Sequence, residues 1–189
     1  FIDINLIILI NQIRKYQKCQ KCQKCQNCQN CQTQLTIRFF LRTSCQALVD
    51  TSENIKPLVV CPNPCYQIYE GAALLAGAET HYLNCNSEDD FIPNLEAAPE
   101  AIWKRCQLLQ LCAPGTPTGT TLSLDYYKTA LELADKYDFI VSNDECYSEL
   151  YRNEDNPPLG LLDACHQLGR DKFKRCIVFH SLSKRSNLP

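Results

Sequence analysis

The stretch "SLDYYKTALELADKYDFIVSNDECY" (Ser123–Tyr147) decides the fold. Ser123 is placed to cap a helix, and Leu124, Tyr127, Leu131 and Ala134 follow at the spacing of a core-facing stripe. "FIVSND" (139–144) then reads as a strand, and the polar "DECY" begins where it stops. A capped helix feeding straight into an apolar strand is one half of a strand–helix–strand crossover, the unit that builds parallel sheets.

Working outward, the missing half lies just before it. "CQLLQLC" (106–112) is a strand cut off by the turn-forming "APGTPTG" (113–119). Further back, "KPLVVC" (56–61) is a β-branched run ended by "PNP", "YQIYEGAALLAGA" (66–78) has apolar residues at helical spacing, and "ETHYLN" (79–84) is a second strand. Towards the end, "GLLDACHQLG" (160–169) reads as a helix and "RCIVFHS" (175–181) as the last strand. From about Cys45 onward, strands and helices therefore alternate, which predicts an α/β fold: a three-layer α/β/α domain with a mostly parallel sheet.

In such sheets ligands gather beyond the carboxyl ends of the strands. That rule collects "PNPCY", "APGTPTG", "NDECY" and "HSLSK" on one rim, and with them Tyr66, Thr116, Asp144, Tyr147, Ser181 and Lys184. A lysine at a strand end that can lose its proton attacks a carbonyl to form an imine. A carboxylate and a phenol on the adjacent loop suit the ring nitrogen and ring hydroxyl of a pyridine cofactor, and hydroxyls beside the lysine suit a phosphate. Singly, each has a plainer reading: Lys184 and Arg185 as a solvated charge pair, Asp144 as a helix N-cap.

The order of these pieces carries more than any one of them. Through "PNPCYQIYEGAALLAGAE", "WKRCQLL", "DECYSELY" and "FKRCIVFHSLSKRSNLP", the stretch from about Pro57 to Pro189 resembles the class I and II aminotransferases of the fold type I pyridoxal-phosphate enzymes, in particular the bacterial succinyldiaminopimelate aminotransferases. The resemblance implies pyridoxal 5'-phosphate as cofactor, with Lys184 as the Schiff-base lysine that also moves the substrate's α-proton. Asp144 would pair with the protonated pyridine nitrogen, Tyr147 would donate to the ring O3′, Tyr66 would stack on the ring face and Ser181 would hold the phosphate. One departure stands out. The family loop reads P-G-N-P-T-G, with an asparagine reaching O3′, where this chain has Gly115-Thr116-Pro117-Thr118-Gly119. The shorter Thr116 side chain is expected to weaken cofactor binding or detune the imine. The same resemblance implies an amino acid and a 2-oxo acid as substrates, N-succinyl-diaminopimelate with 2-oxoglutarate in lysine biosynthesis, and a homodimer for the intact enzyme.

Composition sets the outer limits. With 189 residues and a formal charge of −2, the chain suits one ordinary domain without a basic face, which argues against nucleic-acid binding. The apolar run Leu6–Ile10 is too short to span a bilayer and lacks the flanks of a secretory signal, so no membrane partner and a cytoplasmic location are expected. Of fourteen cysteines, Cys19, Cys22, Cys25, Cys28 and Cys31 recur in "QKCQKCQKCQNCQNCQ", while the other nine are scattered through apolar segments as small reduced hydrophobes. The overlapping C-x-x-C pairs have metal-ligand spacing, but only Gln, Lys and Asn intervene, so a low-complexity repeat is favoured over a metal site. His81, His166 and His180 have no metal spacing, and Trp103 is a packing residue.

The expected organisation is thus residues 1–44 as an unassigned low-complexity segment and residues 45–189 as a partial cofactor-binding large domain that stops just after its lysine. The absence of methionine agrees with a fragment of a longer frame. Without a later phosphate-binding arginine and a small domain, the polypeptide alone is expected to be inactive. A noncatalytic remnant of such an enzyme is the alternative reading, and a cysteine-rich metal-binding module the third.

Overall fold

A computed structural model describes residues 41–151 and 153–185. The cysteine repeat, the rest of residues 1–40 and the four residues after Arg185 lie outside the described residues. Residues 41–48 form a helix, α1, so the expected boundary between residues 44 and 45 falls inside it. The chain then runs β1 (Leu58–Asn63), α2 (Ile68–Leu75), β2 (Glu79–Asn84), α3 (Glu100–Trp103), β3 (Cys106–Cys112), α4 (Leu124–Tyr137), β4 (Ile140–Asp144), α5 (Leu161–Gln167), β5 (Cys176–Phe179) and α6 (Leu182–Arg185).

The five strands make one sheet in the order β2-β1-β3-β4-β5, with every pairing parallel. The order reverses direction at β1, which puts a topological switch point between β1 and β3. Consecutive strand residues serve opposite layers, as the period of two demands. Val59 and Leu108 face α1 and α2, packing with Cys45, Ala72 and Ala73. Their neighbours Val60 and Leu109 face α4 and α5, packing with Tyr127, Leu131, Leu161 and Ala164. Both faces of the inner strands are therefore covered, which explains why β1 and β3 are mostly apolar along their length, whereas the edge strand β2 is polar and partly exposed.

The helix that decided the fold is capped as its sequence proposes. The Ser123 hydroxyl accepts from the Tyr126 backbone N–H at 3.2 Å, and the helix ends at Asp138 in a left-handed conformation, φ 63°. The expected stripe of Tyr127, Leu131 and Ala134 is fully buried, joined by Ala130, while Leu124 packs at the margin. Replacing Ser123 by Ala leaves that N–H without its side-chain acceptor and is expected to lower stability by about 1 kcal/mol, read as a shift in the denaturation midpoint at unchanged slope. Trp103 is a packing residue: its ring stacks on Phe139 with centroids 5.5 Å apart, and its indole N–H donates to the Ala98 carbonyl at 3.1 Å.

One expectation needs correcting. The last strand ends at Phe179, and Lys184 is carried on the short helix α6 rather than on the strand tip. Pairing with β4 stops at Asp144↔Phe179, so the chain beyond has no ladder to continue and coils instead.

Candidate active site

The loops after β1, β3, β4 and β5 leave the sheet on the same side, since all the strands are parallel. Asp144 is the last residue of β4 and is buried, 5 % exposed. Its Oδ2 accepts from the Tyr69 hydroxyl at 2.8 Å, and its Oδ1 accepts from the Cys146 backbone N–H at 3.2 Å, closing a tight turn. Among the described side chains no cation lies within ion-pair distance of this carboxylate. A buried anion at a strand end, held by neutral donors, is suited to receive a cationic ligand atom.

Tyr69 is a site residue that the sequence reading passed over as one of the apolar residues of α2. It is 2 % exposed, and burial, with the nearby Asp144 charge, drives its hydroxyl well above the ordinary phenol range. It therefore stays protonated and donates. Tyr69→Phe would strip one donor from a buried carboxylate and is expected to cost about 1–3 kcal/mol of stability, measurable by chemical denaturation. Tyr66, half-buried in the loop after β1, meets Tyr69 edge to face, with ring centroids 5.8 Å apart.

The loop after β3 contributes Thr116, half-buried and beside Cys112. Burial and the Asp144 charge push the Cys112 thiol up to about 11, against hydrogen bonding from Tyr69 and Thr116. The direct links here are the Tyr69–Asp144 hydrogen bond and the Cys112 thiol donating to the Pro114 carbonyl at 3.4 Å. Two glycines shape this loop. A side chain at Gly115 would come 2.7 Å from the Thr118 hydroxyl, and Gly119 sits at φ 75°, where a side chain is strained. The loop also walls a small cleft of about 20 Å³ with Pro62, Pro64, Cys85 and Phe91, beyond the ends of β1 and β3. That cleft includes Thr116 but neither Asp144 nor Lys184.

Lys184 is exposed, and its Nζ lies 5.7 Å from the centre of the Tyr147 ring, a cation–π contact that holds the amine over the loop after β4. Cys146 links the two groups. Burial and the Asp144 charge raise its thiol strongly, and the Lys184 ammonium opposes the rise, so the thiol lies within the field of both. Ser181 is half-buried between β5 and α6. Of the six residues expected on the rim, Tyr66 meets Tyr69, which bonds Asp144, and Tyr147 is paired with Lys184, while Thr116 lies on the cleft beside the loop after β3. No direct contact joins Lys184 to Asp144 among the described side chains.

Among the described residues no group of three or more His, Cys, Asp or Glu could hold a metal ion, and no helix is long and apolar enough to cross a membrane.

The rim and sheet define a doubly wound α/β domain with a buried carboxylate at the end of β4 and a lysine on the short helix after β5. The profile of the family described as aminotransferase class I and II matches residues 42–189, and the chain belongs to that family, whose members are pyridoxal-phosphate-dependent. An LL-diaminopimelate aminotransferase from Nitratidesulfovibrio vulgaris is 35 % identical over 131 residues, covering 69 % of this chain and 32 % of the relative. The crystal structure of an aminotransferase from Neisseria meningitidis superposes with TM-score 0.76 at 46 % identity, over 81 % of this chain and 38 % of that one. A probable N-succinyldiaminopimelate aminotransferase from Thermus thermophilus does so with TM-score 0.68 at 27 % identity, over 80 % and 38 %. The chain therefore spans about a third of the length of the curated relative it matches.

Proposed function

We propose that the protein to which these residues belong is a pyridoxal-phosphate-dependent aminotransferase, exchanging an amino group between an amino acid and a 2-oxo acid, with residues 45–189 supplying part of its cofactor-binding large domain. The observation that carries this reading is the buried Asp144 carboxylate at the end of β4, whose hydrogen-bond partners, the Tyr69 hydroxyl and the Cys146 N–H, are neutral donors.

Asp144 would hold the protonated ring nitrogen, fixed by Tyr69 so that its charge points to the rim. Lys184 would attach the cofactor through its amine and carry the proton to and from the substrate's α-carbon. When bound, the cofactor supplies an electron sink for charge that develops at that carbon. Tyr147, against which the lysine amine rests, would donate to the ring hydroxyl. Tyr66 would cover the ring face, Ser181 would hold phosphate, and Thr116 would line the hydroxyl side in place of the family's asparagine.

For substrate, the resemblance supports N-succinyl-diaminopimelate with 2-oxoglutarate, in lysine biosynthesis. A second reading, unmodified LL-diaminopimelate, is favoured by the name of the curated relative from Nitratidesulfovibrio vulgaris. A cytoplasmic homodimer without nucleic-acid or membrane partners is part of the same proposal.

The test is spectroscopic. On addition of pyridoxal phosphate the purified intact protein to which these residues belong should develop a visible absorbance band that borohydride fixes to the peptide carrying Lys184. Adding the correct amino donor should bleach that band with release of its 2-oxo acid, and comparing the succinylated and free diaminopimelates decides between the two substrates. No band at saturating cofactor would remove the reading.

A further inference from the structure

Glu145 is a buried carboxylate, 5 % exposed, next in sequence to Asp144, and none of the roles assigned above uses it. Its Oε1 accepts from the backbone N–H of Leu161, the first residue of α5, at 2.8 Å, and from Asn143 Nδ2 at 2.9 Å. Its Oε2 lies 3.3 Å from Nε2 of His180, the first residue past β5. Its own backbone N–H donates to the Phe179 carbonyl at 2.8 Å. Asn143 Nδ2 also donates to the buried Tyr127 hydroxyl at 3.0 Å, which ties the group to α4. Space is reserved for this carboxylate, because a Cβ at Gly160 would come 2.9 Å from Oε2. Burial raises its proton affinity, while the Leu161 N–H, Asn143 and His180 all favour the charged form.

The consequence is geometric. The loop after β4 carries Asp144 and Tyr147, and the segment after β5 carries Ser181 and Lys184. Glu145 joins the root of the first to the root of the second, and both to the start of α5. We propose that Glu145 is a positioning residue, its carboxylate setting the separation between the ring-nitrogen carboxylate of Asp144 and the amine of Lys184 by tying His180, just past β5, to the start of α5, beside the backbone bond to Phe179. The inference rests on the cofactor reading given above. It places no contact between Glu145 and any ligand.

A clamp of this kind acts on attachment more than on occupancy, because bringing two reacting groups to the correct separation affects the bond that forms between them. Two probes separate those effects: pyridoxal phosphate, scored by borohydride fixation at Lys184, and 4-deoxypyridoxine 5′-phosphate, which has no aldehyde and scores ring binding alone. With Glu145→Ala, the concentration of pyridoxal phosphate needed for half-maximal fixation should rise about tenfold or more, while binding of the analogue changes by less than about threefold. Glu145→Gln keeps an Oε1 acceptor for Leu161 and Asn143 and offers an amide to neutral His180, and it should restore fixation to near wild type. His180→Ala cuts only the carboxylate's link to the segment after β5, from a ring that is 56 % exposed, leaves the backbone bond to Phe179, and should show the same split more weakly. If Glu145→Ala fails to fold, His180→Ala and Glu145→Gln carry the test.

An equal loss for both probes, or no loss in His180→Ala and Glu145→Ala, would overturn the positioning role while leaving the cofactor reading intact. A wild-type protein that binds neither probe would overturn both.

Discussion

Lys184→Ala is expected to abolish borohydride fixation of pyridoxal phosphate while leaving the fold unchanged. The residue is exposed and carried on a four-residue helical turn beyond the last strand, and its resolved contact is with the Tyr147 ring at 5.7 Å. Removing it takes no atom from the core, so the far-ultraviolet spectrum and denaturation midpoint should match wild type within about 0.5 kcal/mol. Attachment, by contrast, needs a primary amine at that place. No other described lysine is paired with a rim residue in this structure, so a fixed label that survives the substitution would move the reactive amine elsewhere and sink the assignment of the rim.

The second large effect is at Asp144. Asparagine is nearly isosteric, and its amide can keep both local bonds: the carbonyl accepts from the Cys146 N–H, and the nitrogen can donate to the Tyr69 oxygen. The fold should survive, while the charge that would face the ring nitrogen is lost. A charge-assisted bond of about 1.5–3 kcal/mol corresponds to roughly 10- to 100-fold weaker cofactor binding, by titration of the visible band or of the aldehyde-free analogue. Unchanged affinity in Asp144→Asn would show that this carboxylate faces something other than a cation.

Much of the architecture was legible in the residues because each element was bounded by its own punctuation. "ETHYLN" and "CQLLQLC" coincide with β2 and β3, since each apolar run ends at a turn former or a polar cluster. The Ser123 cap fixed the start of α4. That the four loops leave one end of the sheet was legible, because residues after parallel strands must share that end. What the sequence hid were residues whose role depends on an interaction across the sheet. Tyr69 sits 75 positions from the carboxylate it supports, and in its own segment it is one apolar-spaced residue among several. Cys112 reads as a small hydrophobe, and burial and the Asp144 charge raise its thiol. Glu145 was visible only as the neighbour of a candidate cap, and the cap it provides belongs to a helix that begins 16 positions later. The available signal was Gly160, a helix-start residue without a side chain, which leaves room for a partner from elsewhere.

Asn143 and Asp144 are adjacent in β4, yet one reaches Tyr127 in the α4 layer and the other reaches Tyr69 in the α2 layer. Which of them meets which layer is a matter of odd and even positions alone. Sliding the strand by a single residue would trade amide for carboxylate and invert the polarity of the rim, even if every backbone bond re-formed. Parity thus binds chemistry to packing on this strand. Between Asp138 and Asp144, an insertion or deletion of one residue would exchange the two faces, whereas conservative exchanges of side chain at constant length keep the arrangement.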